Sequence, residues 1–245
     1  MKLKVLASGS KGNCYILESP TGTLIIECGV KYKDILQGLN FNLSEVVGCL
    51  ISHAHLDHSK SAKDLMKAGI DIYTGKETIE ALGLAGHRAN TVIPLEQFTI
   101  GNFKILGFPI EHDVEGLGYL IQYELTGERL LFITDSYYCK YKFQNINYLM
   151  LECNYIKETL DENIANGYID GAMKPRLLQS HFSLENVKGF LKANDLSQCQ
   201  NIVLLHLSDR NSSEEQMIRE IEELTGITPK VADKGLEVNL EMYPY

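Results

Sequence analysis

The segment Ile51-Ser52-His53-Ala54-His55-Leu56-Asp57-His58 packs three of the chain's seven histidines and one aspartate into six consecutive positions, 53 to 58. Imidazole nitrogens together with a carboxylate suit zinc, iron or manganese. Alternate residues of an extended segment point the same way, so His53 and His55 can hold one ion together. Asp57 and His58, beyond the bend, can reach a second. A structural zinc site normally shows paired cysteines at short spacing. The six cysteines here (Cys14, Cys28, Cys49, Cys139, Cys153 and Cys199) form no CxxC pair. The pattern therefore points to an open, catalytic metal centre.

Four ligands on one loop are half of a site, and the other half lies further along the chain. Three later apolar runs end in a potential ligand. His112 follows FKILGFPIE, Asp135 follows RLLFIT, and His206 follows NIVLL. One polar residue closing an apolar strand can be a hydrogen-bonded cap, but three beside HxHxDH favour ligation. Other residues stay open between two readings. His181 is a contact for phosphate or leaving group, or a residue bonded locally where Ser183 caps the following helix. In SGSKGN, Gly9 and Gly12 permit a tight turn through positive φ. The same turn, with Ser8, Ser10 and Asn13, can border the cleft and contact phosphate. Lys174 and Arg176 are either solvated surface charge or a phosphate contact. His87 has no identifiable partner and reads as a surface residue.

These residues must be carried by strands and helices of legible type. LKVLAS, CYILES, TLIIEC, IDIYTG, TVIPL, FTIG, FKILGFPI, GYLIQYEL, RLLFITD and NYLMLEC read as strands separated by turn residues. VVGCLIS is an almost continuous apolar run, as expected of a strand buried on both faces. KYKDILQGLN and SKSAKDLMKAG read as helices, the second with Ser59 as N-cap. After residue 155 the chain is mostly helical, with NIVLLHL embedded and PKVAD and LEVNLE as a closing pair. No repeat, low-complexity tract or linker divides the 245 residues, so one domain spanning 1–245 is expected. The recurring βα units suggest an α/β fold, a four-layer αβ/βα sandwich of two mixed β-sheets flanked by helices.

The ordered series His53, His55, Asp57, His58, His112, Asp135, His206 resembles the ligand set of the metallo-β-lactamase-fold hydrolases, over essentially the whole chain. The resemblance implies that sandwich fold and a dinuclear centre. It implies one divalent ion on His53, His55 and His112, a second on Asp57, His58 and His206, and Asp135 bridging them. Asp57 would also orient the attacking water. The family usually has Asp-x-Gly before this motif, where this chain has Glu27-Cys28-Gly29. Glu27 keeps the charge and adds a methylene to a residue that orients ligands. The motifs ASGSKGN, Glu111-His112-Asp113, Glu152-Cys153-Asn154, Ser180-His181-Phe182-Ser183 and His206-Leu207-Ser208 further resemble the YycJ-type subgroup, which implies a 5′-to-3′ exonuclease activity on DNA and adds Asn154 as a substrate contact. That subgroup often has histidine where Tyr155 stands.

Composition bounds these readings. A net charge of −9 repels polyanions overall, so DNA must be met by a local basic or metal-lined surface. No apolar run approaches the ~20 residues of a membrane span, and MKLKVLASGSKGN has no leader-like apolar core, so a cytoplasmic protein with reduced cysteines is expected. Two divalent ions, zinc, manganese or iron, would acidify a water and polarise the scissile group. The leading expectation is a metal-dependent phosphodiesterase or nuclease acting on DNA or another phosphodiester. The alternative is a thioester, ester or lactone hydrolase of the same fold.

Overall fold

The structure is a computed structural model that describes residues 1–241. Its contacts group the chain into two compact units. The first takes Met1–Pro109, Val114–Glu128 and the chain from Ala232 on; the second takes Ile110–Asp113 and Arg129–Val231.

In the first unit, β1 (Lys2–Ala7) alternates Lys2 and Lys4 with fully buried Leu3 and Val5, the period of a strand with one covered face. β2 (Cys14–Ser19) and β3 (Gly22–Ile26) pair antiparallel with it in succession. β4 (Val46–Leu50), β5 (Ile72–Thr74) and β6 (Ala89–Thr91) then add in parallel. Parallel neighbours need crossovers. These are α1 (Tyr32–Gly38), the pair α2 (Leu56–Ser59) and α3 (Ala62–Lys67), and α4 (Lys76–Leu82). Ile35 and Leu65 of these helices bury against Ile16, Ile25, Cys49, Ile51 and Ile72 of the sheet. β7 (Gln97–Ile100), β8 (Phe103–Pro109) and β9 (Leu117–Tyr123) form an antiparallel meander in the same unit.

The second unit is built on parallel strands: β10 (Arg129–Ile133), β11 (Tyr148–Glu152), β12 (Asn201–Leu205) and β13 (Lys230–Val231). The runs RLLFI, YLMLE and NIVLL are buried almost throughout, as strands covered on both faces must be. The crossovers carry α5 (Lys157–Ala165), α6 (Lys174–Ser180), α7 (Leu184–Ala193) and α8 (Glu214–Thr225). Ser183 caps α7 by accepting the Asn186 N–H, as its sequence suggests.

Three local expectations change. TVIPL is not a strand; pairing stops at Thr91, since Pro94 has no N–H to give a ladder. Ser59 does not start a helix. It ends α2, and its hydroxyl turns back to the carbonyls of Ala54 and His55 at 3.0 and 2.9 Å. The closing pair does not pair with itself: β13 lies beside β12, whereas β14 (Glu237–Asn239) returns to β1. Helix α6, entered by Pro175, had no separate sequence expectation. All six cysteines are free; Cys139 and Cys199 are half-buried and the others buried. Among the described residues no helix is long and apolar enough to cross a membrane.

Candidate metal centre

In the first unit, β3 and β4 run parallel with Ile26 in register with Leu50, so the chain leaves both strands at the same sheet edge. C-terminal edges of parallel strands are where α/β proteins collect their sites. Glu27 leaves β3 with φ of 63°, a strained conformation for a residue with a Cβ. That turn buries its carboxylate completely. Oε1 accepts the Ser52 N–H at 3.0 Å, and Oε2 lies 3.3 Å from Nδ1 of His58. Burial pushes the Glu27 carboxyl above its ordinary range, while His58 and Ser52 pull it down. With Glu27 ionised, His58 carries its proton on Nδ1 and keeps the lone pair on Nε2.

The strand end before His53 is held from β9, where Leu117 N–H donates to Ser52 O at 2.9 Å and Tyr119 hydroxyl donates to Ile51 O at 2.6 Å. Nδ1 of His53 meets Ser52 Oγ at 2.9 Å, which turns Nε2 to within 3.1 Å of His55 Nδ1. Two nitrogens each about 2.0–2.1 Å from one ion, subtending 90–110°, lie about 3 Å apart. The His53–His55 spacing therefore fits one shared cation. The His58 ring is tilted 41° against that of His53 with centroids 4.2 Å apart, and Asp57 Oδ2 is 3.5 Å from His58 Nε2.

Two glycines let three loops meet here. A Cβ on Gly29 would stand 1.6 Å from Asp57 O, and one on Gly12 would stand 2.7 Å from Gly29 O. Asn13 locks the junction. Its amide oxygen accepts from Gly9 N–H at 2.9 Å, and its Nδ2 faces Gly9 O, Asp57 O and His58 Nε2 within 3.3 Å.

In the second unit, three parallel strands deliver Asp135, Glu152 and His206 to one edge. Asp135 and His206 both take positive φ, 45° and 55°, which redirects each side chain as its strand ends. His206 Nδ1 lies 3.1 Å from Glu152 Oε1 and 3.3 Å from Asp135 Oδ1. Facing two carboxylates, that nitrogen carries the proton. His181 Nδ1 is 2.6 Å from the same Glu152 Oε1, and Oε2 of Glu152 accepts from Ser136 N–H and Phe182 N–H at 3.0 and 3.3 Å. One ligand atom each from Asp135, Glu152, His181 and His206 lies within 4.8 Å of the others. His112 donates from Nδ1 to Ser180 O at 3.0 Å, an acceptor that fixes its tautomer, and its ring stands 6.0 Å from that of His181.

The charges of this cluster pull on one another. Burial alone would raise the Glu152 carboxyl, but the imidazoles of His181 and His206 hold it below its ordinary range. Burial works against a charged His206, yet Asp135 and Glu152 raise it. Burial dominates at His112 and lowers it. A buried set of imidazoles and carboxylates with Nδ1 atoms committed to acceptors is the donor set that a divalent ion requires, and the residues present fit such ions.

The remaining sequence candidates fall in three places. Asn13 and Asn154 are buried and engaged by the protein itself; Asn154 Nδ2 donates to His206 O at 2.7 Å. Each engages the backbone or ring of an expected ligand. Ser8 Oγ meets Tyr15 hydroxyl at 2.7 Å, and Ser10 is exposed on the turn. Lys174 pairs with Asp161 and Arg176 with Asp113, both contacts at the surface. His87 is exposed and joins neither cluster. Sequence reasoning missed the part of Glu152, since no spacing tied this carboxylate to His181.

The chain matches the family model described as "Metallo-beta-lactamase superfamily" over residues 7–136. It is 25% identical to Exodeoxyribonuclease WalJ of Streptococcus pneumoniae, covering 99% of this chain and 93% of the relative. It is 27% identical to Exodeoxyribonuclease YycJ of Bacillus anthracis, covering 88% and 85% respectively. Among solved structures, the metallo-beta-lactamase fold protein YhfI from Bacillus subtilis superposes with a TM-score of 0.73 at 18% identity, over 97% of this chain and 98% of that one. The expected fold class, α/β with two mixed sheets flanked by helices, is the one observed.

Proposed function

This chain belongs to the metallo-beta-lactamase superfamily and is a metal-dependent hydrolase, and from that premise we propose that its substrate is DNA, degraded exonucleolytically from the 5′ end by attack of water on the phosphodiester. The near-full-length similarity to two relatives named exodeoxyribonucleases supports DNA. The observation that carries a phosphodiester is the His181–Glu152 contact at 2.6 Å, inside the same cluster as Asp135 and His206. A sugar oxygen leaves poorly unless it receives a proton. A thiolate leaves without one. As an imidazolium, with Nδ1–H held by Glu152, His181 would present Nε2–H as the proton donor, an arrangement useful to a nuclease and idle in a thioesterase.

In this reading, His53, His55 and His112 would hold one divalent ion, Asp57, His58 and His206 would hold a second, and Asp135 would complete the set, following the family's ligand order. When bound, such ions supply Lewis acidity toward the phosphate and a hydroxide near neutral pH. Asp57 orients the attacking water. Glu27 holds His58 from the Nδ1 side, Asn13 ties the Gly9 turn to the Asp57 backbone, and Asn154 holds the His206 backbone. The donor set accepts zinc, manganese or iron. Action on DNA also goes with a cytoplasmic location.

Metal analysis of the purified protein, followed by assays on 5′-labelled DNA, bis(p-nitrophenyl) phosphate and a thioester, tests this. Two divalent ions per chain and release of nucleotides from DNA are expected. Turnover of the thioester with DNA left intact sinks the nuclease reading. Asp57→Ala and His112→Ala should each abolish DNA cleavage in a protein that still folds by circular dichroism. Retained cleavage in either would mean that the ligands are wrongly assigned.

A further inference from the structure

We propose that the loop from Tyr137 to Lys142 is a platform for a single strand of the DNA substrate, with tyrosine rings stacking on bases and lysines meeting phosphates; this rests on the nuclease reading above. The loop reads Tyr137-Tyr138-Cys139-Lys140-Tyr141-Lys142, three tyrosines and two lysines with no acid, in a chain whose net charge is −9. It begins two residues after Asp135, and the intervening Ser136 gives its N–H to Glu152. The platform therefore starts at the candidate centre, within the same unit.

The loop has no helix or strand of its own, yet its backbone is pinned. Tyr137 N–H donates to Glu111 O at 3.1 Å, Ser136 Oγ donates to Tyr138 O at 2.8 Å, and Asn186 Nδ2 donates to Tyr137 O at 2.8 Å. At the far end, Phe143 N–H donates to Asn194 Oδ1 at 2.7 Å. A backbone held this way presents its side chains at little further ordering cost. What it presents is aromatic and cationic. Tyr138 is 54% exposed, and Lys140 and Lys142 are both exposed. The Lys140 ammonium stands 5.5 Å from the Tyr141 ring centroid.

A groove of about 260 Å³ runs beside the loop, lined by Tyr138, Lys140 and Lys142 of the loop and by Phe182, Glu185 and Phe190 of the segment that carries α7. Phe182 follows His181 directly in the chain, and its N–H donates to Glu152, the carboxylate that His181 contacts. One exposed tyrosine is ordinary. Aromatics interleaved with lysines on a pinned loop beside a ligand are the parts of a single-strand channel, where rings stack on unpaired bases of any sequence. Lys140 also pairs with Glu111 at 3.4 Å, but that contact is exposed and exchanges readily for a phosphate. Paired bases offer no free face, so the occupant is single-stranded.

The test uses the metal-loaded protein, an oligothymidine carrying 2-aminopurine, and the variants Tyr138→Ala, Tyr138→Phe and the double Lys140→Ala, Lys142→Ala. Stacking on Tyr138 quenches the probe. Tyr138→Ala should raise KM for single-stranded DNA about tenfold, with kcat little changed, and abolish the quenching; Tyr138→Phe should retain both. The double lysine variant should bind more weakly in low salt. An unchanged KM and unchanged quenching in Tyr138→Ala overturn the platform, and if that variant still cuts DNA the nuclease reading stands. Wild-type protein that quenches the probe through Tyr138 but leaves DNA uncut keeps the platform and ends the nuclease reading. Preference for RNA of the same sequence overturns the DNA assignment.

Discussion

Glu152 does more than any other residue of the second unit. One of its oxygens touches both His181 and His206, and the other accepts two backbone N–H groups that bracket the site from Ser136 and Phe182. A carboxylate with both oxygens filled cannot rotate without breaking several charge-assisted contacts, so the ring of His181 is fixed in angle and tautomer. The consequence can be read in the leaving group. His181→Ala should lower kcat on DNA by about 10²–10⁴-fold, the span of general acid catalysis. On bis(p-nitrophenyl) phosphate, whose p-nitrophenolate leaves without a proton, the loss should be much smaller. Steady-state rates on the two substrates check this, with metal content measured alongside. Equal losses on both would mean that His181 acts as a ligand or a structural contact instead.

At the scale of elements, ligands come from strand ends and glycines come from loop crossings, and these two features differ in how legible they are. An apolar run closed by one imidazole or carboxylate is visible in RLLFITD and NIVLLH, because burial on both faces writes a continuous hydrophobic word. The HxHxDH loop is visible for the same reason. What cannot be read is which loops touch. Glu152 ends a strand as plainly as Asp135 does, but its contact with His181 joins positions 29 residues apart across a crossover. Likewise, β13 and β14 look like a hairpin, since their separate destinations depend on packing rather than local pattern. Gly29 belongs to this second class. An added methyl would stand 1.6 Å from Asp57 O, a backbone atom that cannot swing aside. Gly29→Ala should therefore cost at least the ~1–3 kcal/mol of ordinary overpacking. That lowers the melting temperature by roughly 2–12 °C in a chain of this size. The displaced backbone belongs to Asp57, so metal content should fall with it. Gly189→Ala makes a contrasting measurement: nothing lies within 4 Å of its added methyl, and helix propensity favours alanine. A stable, fully metallated Gly29→Ala would refute the packing account.

For the whole molecule, the question is how a chain with a net charge of −9 engages a polyanion. Long-range attraction is absent, so affinity has to come from a few contacts and from metal–phosphate coordination. Salt dependence separates these terms, because each phosphate neutralised on a single strand contributes about −0.7 to the slope of log K against log salt. If Lys140 and Lys142 are the two cations that meet phosphates, the slope should be about −1.4, so affinity falls only about sevenfold when salt is raised fourfold. Proteins that neutralise many phosphates lose about 10³–10⁵ over the same change. Anisotropy titrations of labelled single-stranded DNA across salt concentrations measure this directly. A slope steeper than about −4 would require further basic groups, and the first unit offers a set in the pocket lined by Lys63, Lys67, His87 and Arg88. Arg88 is already paired with Asp71 at 2.7 Å, and Lys67 lies 3.9 Å from Asp64, which argues against that set. A shallow slope, together with a loss of affinity on removing the Tyr138 ring that exceeds the loss in the double lysine variant, would identify stacking, rather than charge, as the larger part of the grip on DNA.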